Sequence, residues 1–362
     1  MYKYEHGGDI YSQTESKRYN QFIDFSANIN PLGLPSGVKK AIKQALNKCI
    51  HYPDPFCRCL REATANFLNL PNEYFFFGNG ADDVLFRLSL ALKPQTALLL
   101  APTFADYEKS LKTVNCSIKY YNLQEKNAFE PQQDILENIN RDISLVVICN
   151  PNNPTGQLIK KSLLEQILEK CHSVGAYLLI DECFMDLVSE KKAYSLMNML
   201  KYYPKLIILK AFTKTYAMPG IRLGYCLNSN KELHMQLYEN GQDWSVSVLA
   251  QEAGIAALQE NTYLQNSLRL INTERTYLIK QLTTIGAKVY GSEANYIFFF
   301  LDSPQNLEKK LRMQGYLIRS CANYHNLGQG YYRVAVKTRV LNRGLIKAIK
   351  EAKQYALFAG FN

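Results

Sequence analysis

Between residues 74 and 228 the apolar positions come in short unbroken runs. Segments 74–77, 97–101, 145–150, 177–181, 206–209 and 223–227 each read as a strand buried on both faces. Between them lie segments such as 160–173, where apolar residues return every three or four positions, as on an amphipathic helix. Strands alternating with helices predict an α/β unit with a mainly parallel sheet covered by helices. After about residue 260 the pattern changes. Segment 262–284 predicts one long helix, 295–301 and 331–337 predict strands, and 342–356 predicts a closing helix. The expected division is a large domain over 46–260 and a small α+β domain over 261–362. The N-terminal segment, 1–45, is expected to contribute to the small domain and to the mouth of a site.

Composition narrows the class. The chain has 362 residues, 47% hydrophobic and 20% charged, enough for a large core and a smaller second one. No window approaches eighteen consecutive apolar residues, so no membrane span is expected. The start, Met1-Tyr2-Lys3-Tyr4-Glu5-His6, lacks the apolar stretch of a signal peptide, which makes a cytoplasmic protein the expectation. The net charge is +10, from 42 Lys and Arg against 32 Asp and Glu. The lysines are spread through amphipathic segments such as Lys39-Lys40-Ala41-Ile42-Lys43, as on solvated helix faces, so no nucleic-acid partner is expected. A positive field also suits a polyanionic small substrate. Nine scattered cysteines read as reduced thiols, and five histidines form no ligand pattern, so no metal is expected.

In a doubly wound sheet, ligands sit at the carboxyl ends of the strands. Four such ends carry suggestive residues. Gly78-Asn79-Gly80-Ala81-Asp82 turns from a strand into a helix whose free N–H groups can hold a phosphate; alone, it is also an ordinary turn. Asn150-Pro151-Asn152-Asn153-Pro154-Thr155-Gly156 is a constrained loop directly after a strand, with Asn153 as a side-chain donor. Asp181-Glu182 places a carboxylate at the end of a buried strand, where it is costly without a cationic partner. Thr213-Lys214 follows the strand at 206–209, and a lysine there is partly desolvated, which makes its amine a nucleophile.

Taken together these residues match the needs of pyridoxal 5′-phosphate (PLP). The cofactor requires a lysine for imine formation, a carboxylate to keep its pyridine nitrogen protonated, and a phosphate cradle. Lys214, Asp181 and the turn Gly80-Ala81-Asp82 meet those three requirements. Four motifs, Asn150–Gly156, Asp181-Glu182, Thr213-Lys214 and Gly220-Ile221-Arg222-Leu223-Gly224-Tyr225, resemble, in order and spacing, the fold-type I PLP enzymes, in the branch that contains the histidinol-phosphate aminotransferases. The resemblance implies further roles. Phe104 stacks on the pyridine ring, and Asn153 bonds the ring hydroxyl. Thr213 and Arg222 add phosphate contacts. Tyr52 reaches the phosphate from the other subunit of a homodimer. Arg333 clamps the substrate α-carboxylate. Two positions depart from the pattern: Phe184 replaces a frequent Tyr, and Ala211 a frequent Ser or Thr.

A narrower resemblance rests on His6-Gly7-Gly8-Asp9-Ile10, on 24–33 (DFSANINPLG), on Trp244-Ser245-Val246, and on Ile318-Arg319-Ser320-Cys321-Ala322-Asn323-Tyr324. These segments resemble the threonine-phosphate decarboxylases of cobalamin biosynthesis, where Asp9 is usually Asn. It implies decarboxylation of L-threonine O-3-phosphate to (R)-1-amino-2-propanol O-2-phosphate. Two anion sites are then needed: Arg333 for the carboxylate, and Arg319 with His6 for the phosphate, with Asn28 lining the mouth. The alternative is an aminotransferase for histidinol phosphate or another phosphorylated amino acid. Substrate specificity between threonine phosphate and serine phosphate is left open.

Overall fold

The computed structural model describes residues 6–11, 22–302 and 306–359. Its strands in chain order are β1 (Ile23–Asp24), β2 (Phe75–Gly78), β3 (Thr96–Ala101), β4 (Ser117–Asn122), β5 (Leu145–Cys149), β6 (Tyr177–Asp181), β7 (Leu206–Ala211), β8 (Gly224–Leu227), β9 (Lys288–Val289), β10 (Tyr296–Phe300), β11 (Tyr316–Leu317), β12 (Arg319–Ser320) and β13 (Tyr331–Ala335). Seven of them form one sheet in the order β2-β8-β7-β6-β5-β3-β4. β7, β6, β5, β3 and β4 run parallel, and β8 is antiparallel to both its neighbours.

The unbroken apolar runs are explained by burial on both faces. In β3, β5, β6 and β7, Leu98, Val146, Leu178 and Ile208 pack into one core, and Leu99, Val147, Leu179 and Ile207 into a second. Successive strand residues point to opposite faces, so a central strand covered twice has no polar position to spare. Helices such as Ala81–Leu92 and Lys161–Val174 supply the covering apolar faces. β4 was not anticipated. Its side chains are exposed or half-buried because it forms the sheet's edge, and Ser-Ile-Lys-Tyr-Tyr-Asn carries no apolar run.

A second sheet, β12-β13-β10-β9, is antiparallel. Its core contains Ile297, Phe299, Val334 and Ile349. The long helices Tyr263–Thr284 and Arg339–Ala359 flank it. Phe25 joins this core from the N-terminal segment, because β1 pairs in parallel with β11. Strands of two residues leave too short a trace for a pattern to predict, and β1, β9, β11 and β12 were therefore missed.

Candidate active site

The carboxyl ends of β5, β6 and β7 and the start of helix Ala81–Leu92 open onto one cavity of about 430 Å³. Asp181 closes β6 and is 7% exposed. Its Oδ2 accepts from the Tyr107 hydroxyl at 2.5 Å, and its Oδ1 from the Cys183 N–H at 2.8 Å. The neighbouring carboxylate has a cationic partner within the chain. Glu182, 1% exposed, faces Lys210 at 3.6 Å, and Lys210 also meets Asp186 at 3.3 Å. Consecutive side chains at a strand end take opposite sides, so the two acids enter different surroundings. Burial, then Asp181, hold the Tyr107 hydroxyl well above its ordinary pKa, which makes it a fixed donor.

Lys214 lies in the four-residue helix Phe212–Thr215, directly beyond β7. The backbone N–H of Asn30 donates to its carbonyl at 3.2 Å, and the Asn30 side chain donates to Thr215 O at 2.8 Å and Ser267 Oγ at 2.7 Å. Burial lowers the Lys214 ammonium pKa; Arg333 and Arg222 act in the same direction, against Cys183 and Asp181. An amine that sheds its proton more readily than ordinary lysine suits covalent chemistry.

The turn before Ala81 is shaped for close approach. Gly80 has φ +89°, and a Cβ there would lie 2.6 Å from Arg222 Nη2. A Cβ on Gly224, the first residue of β8, would lie 2.2 Å from Ala81 N. Both glycines therefore let Arg222 and β8 press against the helix start, where free N–H groups and the dipole favour an anion. Ala81, Asp82, Thr213 and Arg222 line the cavity; Gly80 supports the turn from behind. Burial, then Asp106, raise the Asp82 carboxyl, against Lys109, Arg222 and His6.

Phe104, Asn153, Asn28, His6, Arg319 and Arg333 line the same cavity. Phe104 meets the Tyr107 ring edge-on at 5.6 Å and the His6 ring at 5.7 Å. His6 Nε2 lies 3.1 Å from Asp106 Oδ1. Arg319 Nη2 donates to Asn323 Oδ1 at 2.9 Å, and its guanidinium lies 5.1 Å from the Tyr324 ring centre. Arg333, 5% exposed, donates to Asn153 Oδ1 and to the Ser26 carbonyl. Tyr52 is outside the cavity; it is 79% exposed and stacks on Trp244 at 4.6 Å.

Sequence reasoning missed Tyr107, Asp106, Ser26, Cys149 and Cys183, all of which line the cavity. Tyr107 had a signal: three residues beyond Phe104 at the start of a helix, it shares that residue's face. Ser26 lay inside the segment 24–33 that carries the narrower resemblance, and the other three had no signal. Phe184, one of the departures, packs edge-on against Tyr296 at 5.0 Å.

The donor set fits PLP on the structure alone. It offers a buried carboxylate held by neutral donors, a lysine with a lowered pKa, an aromatic face at Phe104 and a glycine turn that side chains would fill. Among the described residues, no group of three or more His, Cys, Asp or Glu could hold a metal, and no helix is long and apolar enough to cross a membrane.

Comparison with known proteins agrees. Residues 20–349 match the family model for aminotransferase class I and II. The chain is 34% identical over 354 residues to the threonine-phosphate decarboxylase of Salmonella typhimurium, covering 97% of each chain. Its structure is similar to that of the histidinol-phosphate aminotransferase from Clostridium acetobutylicum, with a TM-score of 0.86 and 30% identity, covering 91% of this chain and 99% of that one. It shares its fold with the histidinol-phosphate aminotransferase from Sinorhizobium meliloti, solved in complex with pyridoxal-5′-phosphate. There the TM-score is 0.81 at 20% identity, over 91% of this chain and 90% of that one.

Proposed function

Because the chain belongs to the class I and II aminotransferase family, we propose that it is a PLP-dependent carboxy-lyase of cobalamin biosynthesis, converting L-threonine O-3-phosphate to (R)-1-amino-2-propanol O-2-phosphate and CO₂. The observation that carries this reading is the presence of two arginines, Arg333 and Arg319, beside the Arg222 assigned to the cofactor phosphate, in the cavity that also holds Lys214. A substrate with both a carboxylate and a phosphate needs two such cations.

The cofactor is pyridoxal 5′-phosphate. When bound, it supplies an electron sink for the pair left at the substrate Cα by bond cleavage. Lys214 would hold it covalently, and Asp181, fixed by Tyr107 and Cys183, would face its ring nitrogen. The N–H groups of Ala81 and Asp82, with Thr213 and Arg222, would take its phosphate. Phe104 would cover the ring, and Asn153 would bond its hydroxyl. Arg333 binds the substrate carboxylate in this reading; Arg319 and His6 bind its phosphate, and Asn28 lines the mouth. Lys214 Nζ or a water would deliver the proton taken up at Cα. Tyr52 and Trp244 stack on each other and are exposed, as are Leu46 and Ile50, which suits burial against a second copy of the chain. In that homodimer Tyr52 reaches the partner's cofactor phosphate.

A second reading is an aminotransferase for histidinol phosphate, favoured by the likeness to the Clostridium enzyme. The two are separated by incubating purified holoenzyme with L-threonine O-3-phosphate, with and without 2-oxoglutarate. A decarboxylase releases CO₂ at the same rate in both. Turnover that requires the acceptor and gives an oxo acid without CO₂ would establish the second reading.

A further inference from the structure

Arg333 is clamped at both of its terminal nitrogens. Nη1 donates to Asn153 Oδ1, and Nη2 donates to the Ser26 carbonyl at 2.6 Å. Nε is buried and has no acceptor among the described residues. Two of the five guanidinium N–H groups are thereby used; the Nε–H and the second N–H of each terminal nitrogen are left for an incoming carboxylate, and the two clamps decide which way they face.

The Ser26 clamp is held from two sides. From below, Phe25 sits in the core of the small sheet; its N–H donates to Leu317 O at 2.7 Å, and its carbonyl accepts from Ala335 N–H at 2.8 Å. From above comes the strap His6-Gly7-Gly8. Gly8 N–H donates to Ser26 Oγ at 2.7 Å, and that hydroxyl donates to Asp24 Oδ1 at 2.6 Å. Gly7 lies directly on the peptide that aims the arginine. A Cβ at Gly7 would stand 2.3 Å from Ser26 O and 2.8 Å from Ser26 C, both backbone atoms that cannot swing aside.

We propose that Gly7 and Ser26 are positioning residues that aim Arg333, and through it decide which bond of the substrate is broken. The inference rests on the proposed decarboxylase function. Only the Cα bond standing perpendicular to the conjugated ring is labilised. With the carboxylate held there, the Cα–C bond breaks, its electron pair stays on Cα, CO₂ leaves and Cα takes a proton. With the carboxylate turned away, the Cα–H bond breaks instead. The proton goes to Lys214 Nζ and from there to the cofactor carbon that bears the nitrogen, water releases a phosphorylated 2-oxo acid, and the amino group and the electron pair stay on the cofactor. The strap thus guards the outcome of the reaction as well as covering the site.

Two measurements on holoenzyme test this with Gly7→Ala and, as a milder variant that keeps the carbonyl, Ser26→Ala. The first is CO₂ released per phosphorylated 2-oxo acid formed from L-threonine O-3-phosphate without acceptor. A misplacement of about 1 Å costs up to about 10²-fold in an oriented site, so Gly7→Ala is expected to lower this ratio at least about tenfold, and Ser26→Ala less. The second needs no turnover. Calorimetry compares binding of O-phospho-3-hydroxybutanoate, which has a carboxylate and a phosphate, with isopropyl phosphate, which has only the phosphate. Gly7→Ala is expected to reduce the preference for the first ligand by a similar factor. Folded variants that turn over slowly yet keep both ratios would overturn the proposal. If the parent enzyme gives no CO₂, the proposed function fails, and the ligand preference alone still decides this inference.

Discussion

At the floor of the cavity, Asp181 and Lys214 stand at, or just beyond, the ends of two neighbouring parallel strands registered Asp181 to Leu209. At its mouth, Arg333 is held by Ser26, 307 positions earlier in the chain, and His6 arrives on a separate N-terminal strap. The floor is set by strand order, so each of its residues has one place to go. The mouth is set by contacts between distant segments, each contributing one donor or acceptor. Changes at the floor should therefore remove chemistry for every substrate, whereas changes at the mouth should redistribute it among substrates and outcomes.

The largest expected effect is at the floor. Lys214→Ala should abolish turnover and the visible absorbance of the bound cofactor; a variant retaining both would remove Lys214 from its assigned role. Asp181→Asn keeps the shape and loses the charge, and turnover should fall by about 10²–10³-fold, in the range seen when one preorganised electrostatic contact is removed. An equal loss on threonine phosphate and on any slower substrate would mark it as a floor residue.

Arg319→Ala tests the mouth. Losing a charge-assisted contact costs about 1.5–3 kcal/mol, and the loss should fall on threonine phosphate and spare unphosphorylated threonine. Equal losses on both would place Arg319 outside phosphate recognition. Tyr107→Phe sharpens the floor. It removes only the hydroxyl on Asp181, so the apoprotein should bind PLP about tenfold more weakly, while the KM for substrate stays unchanged. A shifted KM with unchanged cofactor affinity would place Tyr107 at the mouth.

The smallest effect lies outside both regions. Burial works against the charge of Asp186, but Lys210 and Lys191 prevail and hold its pKa down to about 2. A carboxylate depressed on folding contributes stability that is fully present above its ordinary value of 3.8 and is lost as the pH falls through about 2. Asp186→Asn should therefore lower the Tm by an amount worth about 2 kcal/mol at pH 6, and by little near pH 2. A constant difference across that range would mean the ion cluster contributes nothing through charge.

The same contrast explains what was legible in the sequence. Six strands of the large sheet showed themselves as apolar runs because both faces are buried, and the polar residues just after them, Asn153, Asp181 and Lys214, were readable from position alone. Which of the two adjacent acids, Asp181 or Glu182, faces Lys210 was not legible, because the side each takes depends on the strand's pleat and its neighbours, which a linear pattern does not carry. Arg319 and His6 were reached only through resemblance. Ser26 lay inside the resembling segment 24–33 but had no role readable from it, and Asp106 was out of reach, since an acid on a helix has no periodicity that points at a cavity.

The floor positions the cofactor, and the mouth selects threonine phosphate. The most direct measurement is a side-by-side comparison of kcat/KM for L-threonine O-3-phosphate without acceptor and for histidinol phosphate with 2-oxoglutarate, on one preparation of holoenzyme. The account predicts rapid CO₂ release from the first and little or no amino transfer from the second; efficient amino transfer from histidinol phosphate, with no CO₂ from threonine phosphate, would contradict it.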